Sequence, residues 1–461
     1  MNDTPVDEPN LPAKPPRLRA QRRYVIWLIS DTSKGLAATL FSFALPLITL
    51  FVTNDPTKAG ILGGVGMGIN ILTVLLGGVI ADRYPRIRMM ILGGALGTVV
   101  SLVFTALAWM DTLAFPVLLT FEILLALRSG LFNIAGEAAL KEIVPPELMG
   151  TAQAANQGRD AALQLAGGPL GGALLAVGSW LVGAVMTLSH LLSALAAAAL
   201  RRPMNDDGDR QLKNESANLG AETTVGEAVV VDTSETNLTT PETAPSTAWA
   251  EIREGFAWLL SRPDLRGILF VATLINLALN TASTTVVYDF QQAGFSTVAI
   301  GTFSSGLGVV MLVGAVVAPF FVNRVGVGTL AIIGLLLIAG SMAGVFLVHT
   351  PLTVAAMLAP GILLIPILNS GLLGYFMVAV PSELLGRANA AISFVSMGAM
   401  PLAPLVAGFG LVHVGRTNTL FIAAGLAVVA TLLALSNRGL RDLPRQSEWE
   451  SYAARFGTAE K

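Results

Sequence analysis

Three carboxylates stand inside long apolar runs of this chain. Glu122 lies in "LLTFEILLAL", Asp31 in "VIWLISDTSKGL" and Asp160 in "NQGRDAALQLAGG". An ionisable side chain at the centre of an apolar helix costs roughly 2.5–3.5 kcal/mol when that helix enters lipid, so each needs a reason. One available chemistry is proton carriage, in which a carboxyl binds a proton on one side and releases it on the other as its surroundings change. Lys34 follows Asp31 by three residues on the same helical face, and Arg159 adjoins Asp160. Both acids therefore have a cation at hand, and a snorkelling structural pair at Asp31 fits as well as a functional one. Glu122 has no cation on its own face and lies near the middle of its run. It is the first candidate for the coupling proton, with Asp160 second and Asp31 third.

A second chemistry is hydrogen bonding at helical spacing. Gln153, Gln157, Asp160 and Gln164 recur at i, i+4, i+7 and i+11, a polar stripe on a helix otherwise apolar. Such a stripe either lines a water-filled path or joins helices, and the path is the preferred reading. Arg128 shares a run with Glu122, but six residues set the two about 120° apart, which gives them different partners. Asn276, Asn280 and Asn369 offer neutral polar groups in the second half, where spanning charges are few. Proton handling then belongs to the first half. Arg128, Gln153, Gln157, Gln164, Asn276, Asn280 and Asn369 are the candidates for a substrate path.

Other chemistries lack their parts. There is no cysteine, and His190, His349 and His413 are scattered, so no metal or cofactor site is expected. No GxxxxGK[ST] loop is present for a nucleotide, and no nucleophile stands with a base. A net charge of −2 without a basic, aromatic-interleaved tract gives no sign of nucleic-acid binding.

The elements that position these residues follow from composition. Of 461 residues, 53% are hydrophobic and 13% charged, where soluble domains carry about 25% charged. Apolar runs long enough to cross a bilayer fall at 24–50, 59–81, 88–109, 113–135, 150–177 and 180–200. They resume at 266–287, 297–320, 327–347, 353–377, 388–411 and 417–437. The fold class expected is an all-α membrane protein of about twelve spanning helices in two groups of six.

Arg17, Arg19, Arg22 and Arg23 precede the first run, and Arg83, Arg86 and Arg88 follow the second. Arg201 and Arg202 follow the sixth, and Arg438, Arg441 and Arg445 the last, while the alternate loops are nearly free of basic residues. Both termini and the central loop are thus expected on the cytoplasmic side of a plasma (inner) membrane. Residues 1–23 read as a disordered tail rather than a signal peptide, and 201–248 as a linker too poor in large apolar groups to fold. Residues 249–265 read as an amphipathic helix on the cytoplasmic face, with Ile252, Phe256, Leu259 and Leu260 opposite Glu251, Arg253 and Glu254. The six-helix halves are 24–200 and 266–437, and 438–461 is a C-terminal tail.

The halves echo each other. "VPPELMGTAQAANQ" at 144–157 aligns without gaps on "VPSELLGRANAAIS" at 380–393, pairing Glu147 with Glu383 and Gly150 with Gly386. Each copy opens the fifth run of its half. Asp82–Arg83 aligns with Asn323–Arg324 between the second and third runs of each half. Parallel six-helix repeats are a transporter architecture, with substrate held near mid-membrane between them.

At this point the chain resembles the major facilitator superfamily over nearly all of its membrane part. "GGVIADRYPRIR" at 77–88 is similar to that superfamily's loop motif, with Gly78, Asp82, Arg83, Arg86 and Arg88 in place and Tyr84–Pro85 where a glycine is usual. "LRSGLFNIAG" resembles its motif around a membrane-embedded arginine, here Arg128. "GGPLGGALLA" resembles the glycine–proline motif of exporters, with one residue rather than two between Pro169 and Gly171. "FALPLI" and "EIREGFAWLLSRPDLRG" look like the drug and siderophore exporter branch, which includes macrolide efflux, enterobactin export and mycobacterial multidrug pumps.

The resemblance implies a conformational latch. Asp82 can face a helix N-terminus of the other half, where the dipole favours an anion. Arg83 and Arg86 can pair with Glu137 or Glu142 in one state and release them in another. The function expected is proton-coupled export of small amphipathic molecules by alternating access. Its partners would be substrate, protons and lipid, with a single chain sufficient. An importer or lipid-type transporter on the same scaffold is the alternative; a channel or a membrane enzyme is disfavoured.

Overall fold

The computed structural model describes Leu18 and residues 21–145, 148–201 and 248–456. Most of the expected N-terminal tail and linker, and Glu147 of the repeat, lie outside them. The first half is α1 (Arg22–Thr53), α2 (Pro56–Arg83), α3 (Arg86–Trp109), α4 (Phe115–Ile143), α5 (Met149–Val177) and α6 (Ser179–Leu200). A separate helix, α7 (Ala248–Ser261), precedes the second half. That half holds α8 (Pro263–Gln292), α9 (Thr297–Arg324), α10 (Val327–Gly344), α11 (Pro351–Ala379), α12 (Ser382–Gly398), α13 (Leu402–His413) and α14 (Gly415–Ser436). The short α15 (Arg438–Arg441) and α16 (Trp449–Ala454) close the chain. Twelve stretches are long and apolar enough to cross a membrane, and no strand occurs among the described residues.

Local signals set the helix ends. Asp55 accepts a hydrogen bond from the Thr57 amide at the start of α2, with Pro56 in the first turn, where its missing N–H costs nothing. Thr350 and Thr353 form a capping box at the start of α11. Many large apolar side chains, among them Leu72, Leu102, Leu188, Val316 and Leu432, remain exposed on the outside of the bundle. Lipid accepts such a surface where water would not.

The eleventh span departs from the expected single run over 388–411. It is broken at Ala399–Pro401 into α12 and α13. Pro401 and Pro404 lack the amides that would bond the Met397 and Met400 carbonyls in an α-helix. Tighter bonds replace them, from Met400 N to Met397 O at 3.0 Å and from Ala403 N to Met400 O at 3.0 Å.

The end carrying Arg83, Arg86 and Arg201 is called the basic end here and the opposite end the far end. The halves are sealed at the far end by glycine-mediated backbone contact. A Cβ at Gly60 of α2 would lie 2.4 Å from the Pro404 carbonyl oxygen, and one at Gly408 of α13 would lie 2.3 Å from that of Pro56. Likewise a Cβ at Gly168 of α5 would lie 2.5 Å from the Gly301 oxygen, and one at Gly172 would lie 2.3 Å from that of Thr297. The second helix of each half thus packs on the fifth of the other, as a two-fold repeat requires. Towards the basic end these surfaces part: among the described residues, Gly78 of α2, Gly158 of α5 and Gly398 of α12 face nothing within 4 Å.

The second half is braced at its basic end. Asp264 is fully buried, paired with Arg262 at 2.8 Å and accepting from the Tyr375 hydroxyl at 2.7 Å. Residues 438–456, read from the sequence as a tail, fold against this network: Trp449 stacks edge-on to Tyr375, and the Tyr452 hydroxyl donates to Gly439 O at 3.0 Å. The helix α7 packs on α12, where a Cβ at Gly255 would lie 2.5 Å from the Arg387 carbonyl oxygen.

Candidate functional site: a cavity between the halves

Two apolar clusters fill the first half. One surrounds Trp27, Met89 and Leu140 towards the basic end, and the other surrounds Leu40, Phe104 and Phe121 towards the far end. Between them lies a polar layer on a cavity of about 460 Å³. Side chains from α1, α2, α4, α5 and α6 line it, and Met397 and Met400 at the break between α12 and α13 supply the second half's wall.

Glu122 of α4 faces this cavity, 8% exposed, with no hydrogen bond or ion pair among the described residues. Its carboxyl lies so close to α2 that a Cβ at Gly66 would sit 1.6 Å from Oε1, so any larger residue there would push the carboxyl aside. One turn earlier, the site of a Cβ at Gly63 is 3.9 Å from the hydroxyl of Tyr288, on α8 of the other half. The carboxyl and this phenol therefore address the same strip of α2.

Arg128, on the same helix, turns instead to α3, as the spacing of six requires. Its Nε donates to the Gly93 carbonyl at 2.8 Å, it is 6% exposed, and no carboxylate among the described residues lies within ion-pair distance. Beside it stands His190 of α6, 1% exposed and lining the cavity, with Nδ1 unpartnered among the described residues. Its ring lies over Gly97, one turn on from Gly93, where a Cβ would come within 2.7 Å of it. Glycines of two helices thus receive a carboxylate on one side of the cavity and a guanidinium with an imidazole on the other.

Asp31 is occupied differently. Lys34 Nζ approaches it at 2.5 Å and Arg159 Nη1 at 2.9 Å, and Arg159 also reaches Asp160 at 2.8 Å. Lys34, Asp31, Arg159 and Asp160 form one alternating chain that ties α1 to α5. The Arg159 guanidinium also lies 5.8 Å from the Trp27 ring centroid.

The stripe on α5 divides. Gln164 lines the cavity, while Gln153, Gln157 and Asp160 are exposed nearer the basic end and outside its lining. Asn276 and Asn369 face a separate pocket of about 30 Å³ inside the second half, and Asn280 donates to the Asn276 carbonyl at 2.8 Å. In the loop motif, Arg86 pairs with Glu142 at 2.8 Å and donates to Ala138 O at 3.1 Å. Arg83 and Glu137 are exposed without an ion pair among the described residues, and the side chain of Asp82 lies outside them. Sequence reasoning missed three features: His190 as a cavity group, the Asp31–Arg159 bridge, and the two methionines. An imidazole within "LVGAVMTLSHLLSALAAAAL" was the available signal for the first.

The chain belongs to the Major Facilitator Superfamily, whose sequence profile matches residues 32–404. No curated protein matches it. Among solved structures it is similar to a bacterial homologue of the iron transporter ferroportin in the inward-facing state. That match has a TM-score of 0.62 and 14% identity, covering 91% of this chain and 99% of the other. A POT family transporter in complex with 5-aminolevulinic acid gives 0.61 at 14% identity over 89% and 95% of the two chains. A D-xylose–proton symporter gives 0.60 at 15% identity over 90% and 98%. These likenesses show the fold; the family match makes the chain a transporter, and its twelve candidate spans make it multi-pass.

Proposed function

We propose that the chain is a secondary active exporter of small amphipathic molecules, driven by the proton gradient and working by alternating access. The observation that carries this reading is Glu122, an unpaired carboxyl facing a cavity between two repeat halves. A proton carrier needs such a group, because its surroundings change when the halves rock. With both termini cytoplasmic in the plasma (inner) membrane, as the arginine distribution favours, the basic end faces the cytoplasm. The cavity would then load from inside the cell. The glycine–proline sequence of α5 and the likeness to drug and siderophore exporters support efflux by antiport. Asp82, Arg83, Arg86, Glu137 and Glu142 are the gating residues of the basic end: the Arg86–Glu142 pair already holds α3 to α4 in the state described, and the others engage when that end closes, with Gly78 as the close-packing point. A single chain carries out the cycle.

The test uses everted membrane vesicles. Uphill accumulation of substrate should saturate and collapse with an uncoupler. Glu122→Gln should lose accumulation yet keep energy-independent exchange. Uphill transport by this variant at the wild-type level would remove Glu122 from the mechanism, and Asp160 and then Asp31 would take its place.

A further inference from the structure

The cavity holds a carboxyl and a guanidinium that do not meet. Glu122 and Arg128 both line it, both are less than a tenth exposed, and neither has an ionic partner among the described residues. Different backbones hold them apart: Gly66 of α2 receives the carboxylate, and Gly93 of α3 accepts from the guanidinium. Six residues of helix separate them by about 9 Å along α4. His190 adds an unpartnered, buried Nδ1 beside Arg128. A buried carboxyl without a counter-charge takes up either a proton or a cationic ligand, and a buried guanidinium without one calls for an anion, so the coupling proton and a ligand are the partners that remain. The wall that the second half presents is not polar. It consists of Met397 and Met400, whose unbranched thioethers adapt to apolar bodies of different shape.

We infer that the substrates are amphipathic zwitterions, with the cationic group on Glu122, the acidic group on Arg128 and His190, and the apolar body against Met397 and Met400. The inference rests on the export reading and names the substrate class of that site. It agrees with antiport, since a substrate cation and a coupling proton compete for the same carboxylate. It also divides the labour between the halves. The first half reads charge, and the second covers the apolar part without specifying it.

The test is direct binding to the purified full chain in nanodiscs, with one body carrying different end groups. The probe is 3-[4-(aminomethyl)phenyl]propanoic acid, whose charges stand about as far apart as the two residues. It is compared with its methyl ester and its N-acetyl derivative. Blocking either end should weaken binding about tenfold or more, the size of one charged hydrogen bond. Glu122→Gln should abolish the preference for the free amine over the N-acetyl compound and leave the acid–ester preference intact. Arg128→Gln should do the reverse, and Arg128→Lys should restore part of the acid preference. Charge-blocked compounds binding as well as the zwitterion would overturn the inference, as would no binding of the zwitterion at millimolar concentration. Charge selectivity in binding without uncoupler-sensitive uphill transport would instead sink the export reading and leave the site standing.

Discussion

Replacing Gly60 by alanine should push the protein out of the state described. The added Cβ would stand 2.4 Å from the Pro404 carbonyl oxygen and 3.1 Å from the Gly408 Cα, both backbone atoms that cannot swing aside. Relief requires α2 and α13 to separate by about 1 Å, and overpacking of this kind costs about 1–3 kcal/mol. In a two-state transporter this shifts the balance about 5- to 150-fold towards the state open at the far end. Gly78→Ala on the same helix meets nothing within 4 Å among the described residues and should be tolerated in this state. If Gly78 packs closely once the basic end shuts, the substitution shifts the balance the other way. Alanine favours a helix over glycine by up to about 1 kcal/mol at both positions, so helix propensity cannot produce opposite signs. The chain has no cysteine, so Ala38→Cys in the cavity lining gives a single thiol that impermeant reagents can probe from either side. Gly60→Ala should raise labelling from the far end and lower it from the basic end, with Gly78→Ala doing the opposite. Equal labelling in both variants and the parent would refute the claim that glycine contacts set the balance.

Three further outcomes are expected. Asp82→Asn should lower transport severely while membrane insertion stays intact, because the arginines that orient the chain remain; transport at the parent rate would reduce the motif to an anchor. Removing most of residues 203–248 while keeping α7 should preserve transport, since each doubling of loop length changes closure by only about 0.6 kcal/mol, and a well-expressed but inactive deletion would refute this. Asp264→Ala should cost about 3 kcal/mol of stability by leaving Arg262 buried without its counter-ion, against about 1 kcal/mol for Tyr375→Phe. Thermal melting in nanodiscs reads both, and an unchanged Asp264→Ala profile would show that the buried pair does not brace the second half.

The twelve spans were legible because lipid imposes a length and a composition that few other settings share. The break in the eleventh span was not, although Pro401 and Pro404 stand in plain view. Helices in lipid often keep proline, and whether a turn unwinds depends on which neighbouring amides can rebond. Of the candidate residues, Glu122, Arg128 and Gln164 line the cavity, while Gln153, Gln157, Asp160, Asn276 and Asn369 lie outside its lining. Spacing on α4 separates Glu122 from Arg128, and adjacency places Lys34 near Asp31 and Arg159 near Asp160. That Arg159 would cross to Asp31 depends on how α5 lies against α1, which no single-helix periodicity contains. Asn276 and Asn369 show the converse: a polar residue in a spanning helix can serve a pocket inside one half rather than the path between halves.

The interrupted eleventh span has a mechanical consequence. Its two prolines supply none of the donors that an unbroken helix would hold there, and the short bonds from Met400 to Met397 and from Ala403 to Met400 tie each helix only to the turn between them. Swinging α12 against α13 therefore disturbs fewer main-chain hydrogen bonds than bending an unbroken helix would, in the bilayer interior where a torn one is costly. The span behaves as two rods on a pin. One rod is fastened to α2 at the far end, and the other is loaded by α7 near the basic end. The methionines that roof the cavity ride on the pin.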